Sequence, residues 1–133
     1  MKELSSLDIK HNQLRLLVQA IQLLAMEYSE ICRFEPEFVD LPEELELGIR
    51  DPLEVLDRSG NMKVLRPEEL SDINQLLNLV DKTKCSQSLW TRDAIDKSNE
   101  WRQLRNFAAS IIEKHGWQEP PSRDEVEFTR NGG

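Results

Sequence analysis

The longest uninterrupted hydrophobic pattern runs over residues 14–34, LRLLVQAIQLLAMEYSEICRF, with no Gly or Pro inside it. Leu14, Leu17, Val18, Ile21, Leu24, Ala25, Tyr28, Ile31 and Cys32 recur at steps of three and four, the spacing of one helix face. Leu16, Ala20 and Leu23 widen that stripe beyond half the circumference, so this helix needs partners on at least two sides. With Ser6 as cap and Asp8 in the positive first turn, the pattern predicts a helix over about residues 7–33. That is roughly 27 residues, about 40 Å at 1.5 Å per residue.

Residues 34–67 read differently, because Pro36, Pro42, Gly48, Pro52, Gly60 and Pro67 punctuate them. Pro42 followed by Glu43 and Glu44 suits a short helix ending at Gly48. LEVL and MKVL around DRSGN then predict a small β-hairpin. A lone hairpin is marginal in water, so Phe34, Phe38, Val55 and Val64 are expected to dock on the helices.

Pro67 opens the next helix, with Glu68 and Glu69 in its first turn and Leu70, Ile73, Leu76, Leu77 and Val80 at helical spacing. It ends among Lys82 and Lys84, which suit the negative end of the dipole. Over 88–115, Trp90, Ala94, Trp101, Leu104, Ala108, Ile111 and Ile112 line one face, Ser98-Asn99 favours a break, and Gly116 is the stop. The expected fold is therefore mostly α: a small bundle of three principal helices (about 7–33, 67–84 and 88–115) with an irregular, hairpin-bearing insertion. Residues 1–118 form its single domain, and 119–133, beginning near Pro120-Pro121, read as a flexible tail. Its expected core is Leu17, Ile21, Leu24, Tyr28, Ile73, Leu76, Leu77, Val80, Trp101, Leu104, Ala108 and Ile111.

Composition narrows the functional classes. The 133 residues suffice to bury a core without disulfides or metals. Charged residues make up 32% of the chain, at a net charge of −8, which argues against binding a nucleic-acid phosphate backbone and disfavours anionic membranes. Gln13, Arg15, Gln19, Gln22 and Glu27 interrupt the first apolar run, so neither a leader nor a membrane span is expected. Two cysteines, Cys32 and Cys85, are too few for a disulfide framework and fit a reduced, cytoplasmic protein.

Two acid pairs prolong apolar stripes: Glu27 with Glu30 late in the first helix, and Glu69 with Asp72 early in the next. Carboxylates three apart share a helix face, and two such pairs meeting between helices would give an all-oxygen pocket for Mg²⁺. The segments EYSEICRF and EELSDINQLLNLV resemble the two signature helices of the MazG-like all-α nucleoside triphosphate pyrophosphatases. That family carries Glu-x-x-Glu, a spacer and Glu-x-x-Asp, and splits nucleoside triphosphates to monophosphate and pyrophosphate with Mg²⁺. The resemblance covers about 20 residues and implies Mg²⁺ binding by Glu27, Glu30, Glu69 and Asp72. The sequence departs from the family in a longer spacer, in Leu24 where many members have a further acid, and in DAIDKSNEWRQL, which does not match the family's Lys-rich substrate helix.

Other constellations are thinner. Asp57, Ser59, Asn61, Val64 and Glu68 fall on positions of a Ca²⁺-binding loop, but Met62 stands where such a loop needs Gly. His11 and His115 have no Cys or acid at ligand spacing, and neither cysteine belongs to a CxxC pair. There is no nucleophile elbow and no phosphate loop. Trp90 and Trp117 bracket the last helical region, where either an interface or the capping of a bundle end would use them.

The leading expectation is a small acidic helical protein–protein interaction module (adaptor, assembly factor or regulator) without catalysis or cofactor. It would act on a protein partner or a second copy through Leu16, Ala20 and Leu23, with Trp90 and Trp117 as further interface candidates. Neither nucleic acid nor membrane is expected as a partner. The alternative is the Mg²⁺-dependent nucleotide pyrophosphohydrolase, with a nucleoside triphosphate as substrate.

Overall fold

The computed structural model describes residues 6–35 and 39–118, and these are mostly helical, with no strand among them. The helices are α1 (Ser6–Leu24), α2 (Tyr28–Ile31), α3 (Leu41–Arg58), α4 (Pro67–Lys84), α5 (Arg92–Lys97) and α6 (Asn99–His115). The tail expected over 119–133 and the expected docking of Phe38 lie outside the described residues.

The largest departure from the expected architecture is α3. Where a hairpin was expected, one 18-residue helix runs straight through Gly48 and Pro52. An interior Pro costs about 3 kcal/mol and an interior Gly about 1 kcal/mol. Against them stand Leu41, Leu45, Ile49 and Leu56, all wholly or nearly buried at helical spacing. At about 1.5–3 kcal/mol each, four such side chains contribute on the order of 6–12 kcal/mol, so burial outweighs the local breakers. The segment LEVL lies within the last two turns of α3, and residues 62–64 form a single 3₁₀ turn. DRSGN ends the helix: Gly60 is left-handed at φ 75°, Asn61 N–H donates to Leu56 O at 2.8 Å, and Gly60 N–H donates to Asp57 O at 3.2 Å. This double closure satisfies the last carbonyls with glycine just past the helix end. Gly116 closes α6 in the same way, with Trp117 N–H donating to Ile112 O at 2.9 Å. Val55 and Phe34, expected to dock, remain exposed, whereas Val64 does pack on the core.

The first helix is also shorter than its pattern predicts. It stops at Leu24, and Glu27 is extended (φ −66°, ψ 153°) before the single turn of α2. No Gly or Pro marks the break. A tertiary contact accounts for it: Arg105 on α6 donates to the Met26 carbonyl at 3.1 Å, satisfying backbone past the end of α1, and also to the Ile95 carbonyl of α5 at 3.1 Å.

The expected core holds except for Tyr28, the first residue of α2, which is half-buried; Ile31, Leu65 and Ile95 join it together with the α3 leucines. Helix α1 packs most extensively on α3 and next on α6, which also packs on α4. At the α1–α3 crossing Ala20 meets Gly48, where an added Cβ would stand 3.2 Å from the Ala20 Cβ. Ser98 both ends α5 and caps α6, its Oγ accepting from Trp101 N–H at 3.1 Å, so the expected break falls where Ser98-Asn99 placed it. None of the described helices is long and apolar enough to cross a membrane.

Candidate functional site

The four carboxylates singled out in the sequence reach different surroundings. Glu27 is exposed at the α1–α2 corner, 3.6 Å from Arg105, and Glu30 is exposed one turn on. Glu69 is buried in the first turn of α4, where it accepts from the Arg66 backbone N–H at 2.8 Å and lies 3.4 Å from the Arg66 guanidinium. That is the half of a capping box in which a third-position acid reaches back to the cap. Asp72 accepts from Lys114 at 3.0 Å and from His115 Nε2 at 2.8 Å, joining the start of α4 to the end of α6. The hydrogen bond from Lys114, then that from His115, hold its carboxyl below the ordinary value. Among the described residues no three His, Cys, Asp or Glu side chains are grouped to hold a metal ion. The suggested Ca²⁺ loop is likewise divided, with Asp57 on α3, Asn61 donating to Ser59 Oγ at 2.9 Å, and Glu68 on α4.

His115 is the titratable group that sequence spacing missed. Its side chain is 2% exposed, its ring centroid 5.3 Å from that of Trp117 at a 40° tilt, and it is bonded to an acid 43 residues away. The Trp117 carbonyl accepts from buried Gln22 at 2.8 Å, so this corner ties α1, α4 and α6 together. Trp117 and Trp90 are half-buried rather than open. Trp90 lies between Trp101, 5.5 Å away, and the Lys84 ammonium at 5.7 Å. Trp101 donates its indole N–H to Leu89 O at 2.6 Å.

A second buried acid, Glu46 on α3, is 5% exposed and accepts from Arg50 at 2.8 Å and Lys84 at 2.9 Å. Burial alone would raise its carboxyl, but the hydrogen bonds from Lys84 and Arg50 outweigh burial and leave it lowered. Arg50 continues to Asp81 at 2.6 Å, so this network clasps α3 to α4.

Of the expected contact residues on α1, Ala20 is engaged by Gly48 within the chain and Leu23 is packed against the core. Only Leu16 of the three stands open, at 40% exposure. Phe34, Leu47 and Val55 are the other large apolar side chains at the described surface, and Leu47 and Val55 share α3 with the acids Glu43, Glu44, Asp51 and Glu54. Comparison with models of known families, with curated proteins and with solved structures finds no match for this chain.

Proposed function

We propose that the chain is a small acidic helical module that acts by binding another protein rather than by catalysis. The observation carrying this reading is the placement of its apolar surface. Leu16, Phe34, Leu47 and Val55 stand open on the surface of a chain in which 32% of residues are charged. The buried polar groups support it, because their hydrogen bonds hold helices together: Glu46 bridges α3 and α4, and His115 bridges α6 and α4. The competing reading is a Mg²⁺-dependent pyrophosphohydrolase using Glu27, Glu30, Glu69 and Asp72. It requires two of those carboxylates to give up the bonds they make to Arg66, Lys114 and His115.

One experiment separates them. The chain is incubated with Mg²⁺ and a panel of nucleoside triphosphates, and released pyrophosphate is measured beside Glu27→Ala and Asp72→Ala variants. The module reading expects no release above buffer. Release that both substitutions abolish, in variants that remain folded, would replace it with the enzymatic one.

A further inference from the structure

We infer that the outward face of α3 is the docking surface, and that its occupant is a basic amphipathic helix of a different protein. This rests on reading the chain as an interaction module. At 100° per residue, Glu54, Leu47, Asp51 and Val55 fall within about 100° of arc, opposite the side bearing Leu45, Ile49 and Leu56. Leu47 is 36% and Val55 37% exposed, two turns apart, so they present the i and i+8 anchors of a helix-sized ridge. Glu43 and Glu44 extend the same arc toward the N-terminus of the helix, and Asp51 lies between the two apolar residues. Among the described residues Asp51 has no ion pair, whereas Glu54 is paired with Arg58 at 2.7 Å.

This charge pattern selects the occupant. A second copy of the chain would set acid against acid, at −8 per chain, around two pairs of apolar side chains. A neutral apolar helix would leave Asp51 buried without a partner between Leu47 and Val55. A helix carrying Lys or Arg beside its own apolar residues satisfies both, with the acids steering approach and Leu47 and Val55 seated on the partner's apolar stripe. The crossing with α1 leaves this face free, because α1 reaches α3 through Gly48, on the flank of the arc.

The test uses the full chain, labelled with ¹⁵N, and a synthetic helical peptide of about 18 residues. The peptide carries Leu at i, i+4, i+7 and i+11 with Lys and Arg between them. A scrambled peptide of identical composition and an acidic counterpart serve as controls. Amide shifts centred on Leu47, Asp51 and Val55 are expected, with binding weakened as salt rises from about 0.1 M to about 1 M. A Leu47→Ser/Val55→Ser variant should bind roughly tenfold more weakly, the scale of losing an interface anchor. Asp51→Lys, which leaves both apolar residues in place, gives an independent reading of the charge. Shifts no different with the scrambled or acidic peptide, or centred on another helix, would overturn the inference. A photo-crosslinking residue at position 47, and separately at exposed Gln75 on α4 and Gln103 on α6, is then used in the cells that naturally make the chain. Adducts from position 47 should carry a basic amphipathic segment. Adducts only from α4 or α6, or of the chain with itself, would reject the α3 face and leave the module reading standing. No adduct from any position would reject the module reading itself.

Discussion

Substituting Gly48 isolates the contact on which the placement of α3 depends. In the interior of an exposed helix, Gly→Ala stabilises by about 1 kcal/mol through backbone entropy and propensity. Here the new methyl would stand 3.2 Å from the Ala20 Cβ, inside the 3.5–4.0 Å at which carbon atoms attract. One of the two helices must retreat by a few tenths of an ångström, at the lower end of the roughly 1–3 kcal/mol that overpacking costs. Gly48→Ala should therefore be neutral to destabilising by about 1 kcal/mol, and the gain expected from propensity should be missing. Removing the opposing methyl restores the space, so in an Ala20→Gly background the same change should stabilise by about 1 kcal/mol. The four proteins of this cycle, unfolded in urea and followed by circular dichroism, should give a coupling of about 1–2 kcal/mol. For a chain of this size each kcal/mol corresponds to about 3–5 °C in Tm. If Gly48→Ala stabilised equally in both backgrounds, within about 0.5 kcal/mol, the two helices would not meet there.

The remaining predictions concern the polar clasps. Glu46 is held below its ordinary value of 4.5, so it contributes stability above that pH, and the contribution is lost as pH falls through the lowered folded value. Glu46→Gln should cost about 1–2 kcal/mol at neutral pH and flatten the loss of stability on acidification; an unchanged acid limb by urea titration would contradict this. Asp72, also lowered, has the same sign around 3.8. Asp72→Asn should destabilise by about 1–2 kcal/mol because buried His115 loses its carboxylate, whereas Lys114→Met, removing a half-exposed cation screened by water, should cost well under 1 kcal/mol. Equal losses from the two would place the strength of that corner in the lysine. Arg105→Met leaves the carbonyls of Met26 and Ile95 without this donor and should cost about 2–3 kcal/mol in thermal melts, with a loss below about 0.5 kcal/mol removing the explanation given for the break after Leu24.

These results also mark what could be read from the residues alone. Helix α4 was legible to its ends because its signals are local: Pro67 at the first position, acids in the first turn, lysines in the last. Ser98 and Gly116 were legible for the same reason. Helix α3 is hidden from local signals because Gly48 and Pro52 sit inside it and Gly60 follows close after its end. The steps Leu41, Leu45, Ile49, Pro52 and Leu56 carried the stronger signal, a buried stripe at helical spacing in which Pro52 itself is a member. The end of α1 had no local signal, since the group that accommodates it, Arg105, lies 79 residues from Met26. Glu69 and Asp72 were found as a pair but not their roles: a cap acceptor can be read from its spacing to Arg66, whereas the partnership of Asp72 with His115 exists only once α4 and α6 are packed. Recognising Ala20 as part of an internal crossing likewise required α3.

The claim beneath the rest is that residues 41–58 form one helix, apolar toward α1 and acidic outward. Backbone ¹³Cα and ¹³C′ shifts of the full chain test it residue by residue. The account predicts helical shifts unbroken from Leu41 to Arg58, including Leu53 to Leu56 beyond Pro52. Extended shifts over 53–56 and 62–65, with cross-strand contacts between them, would contradict it.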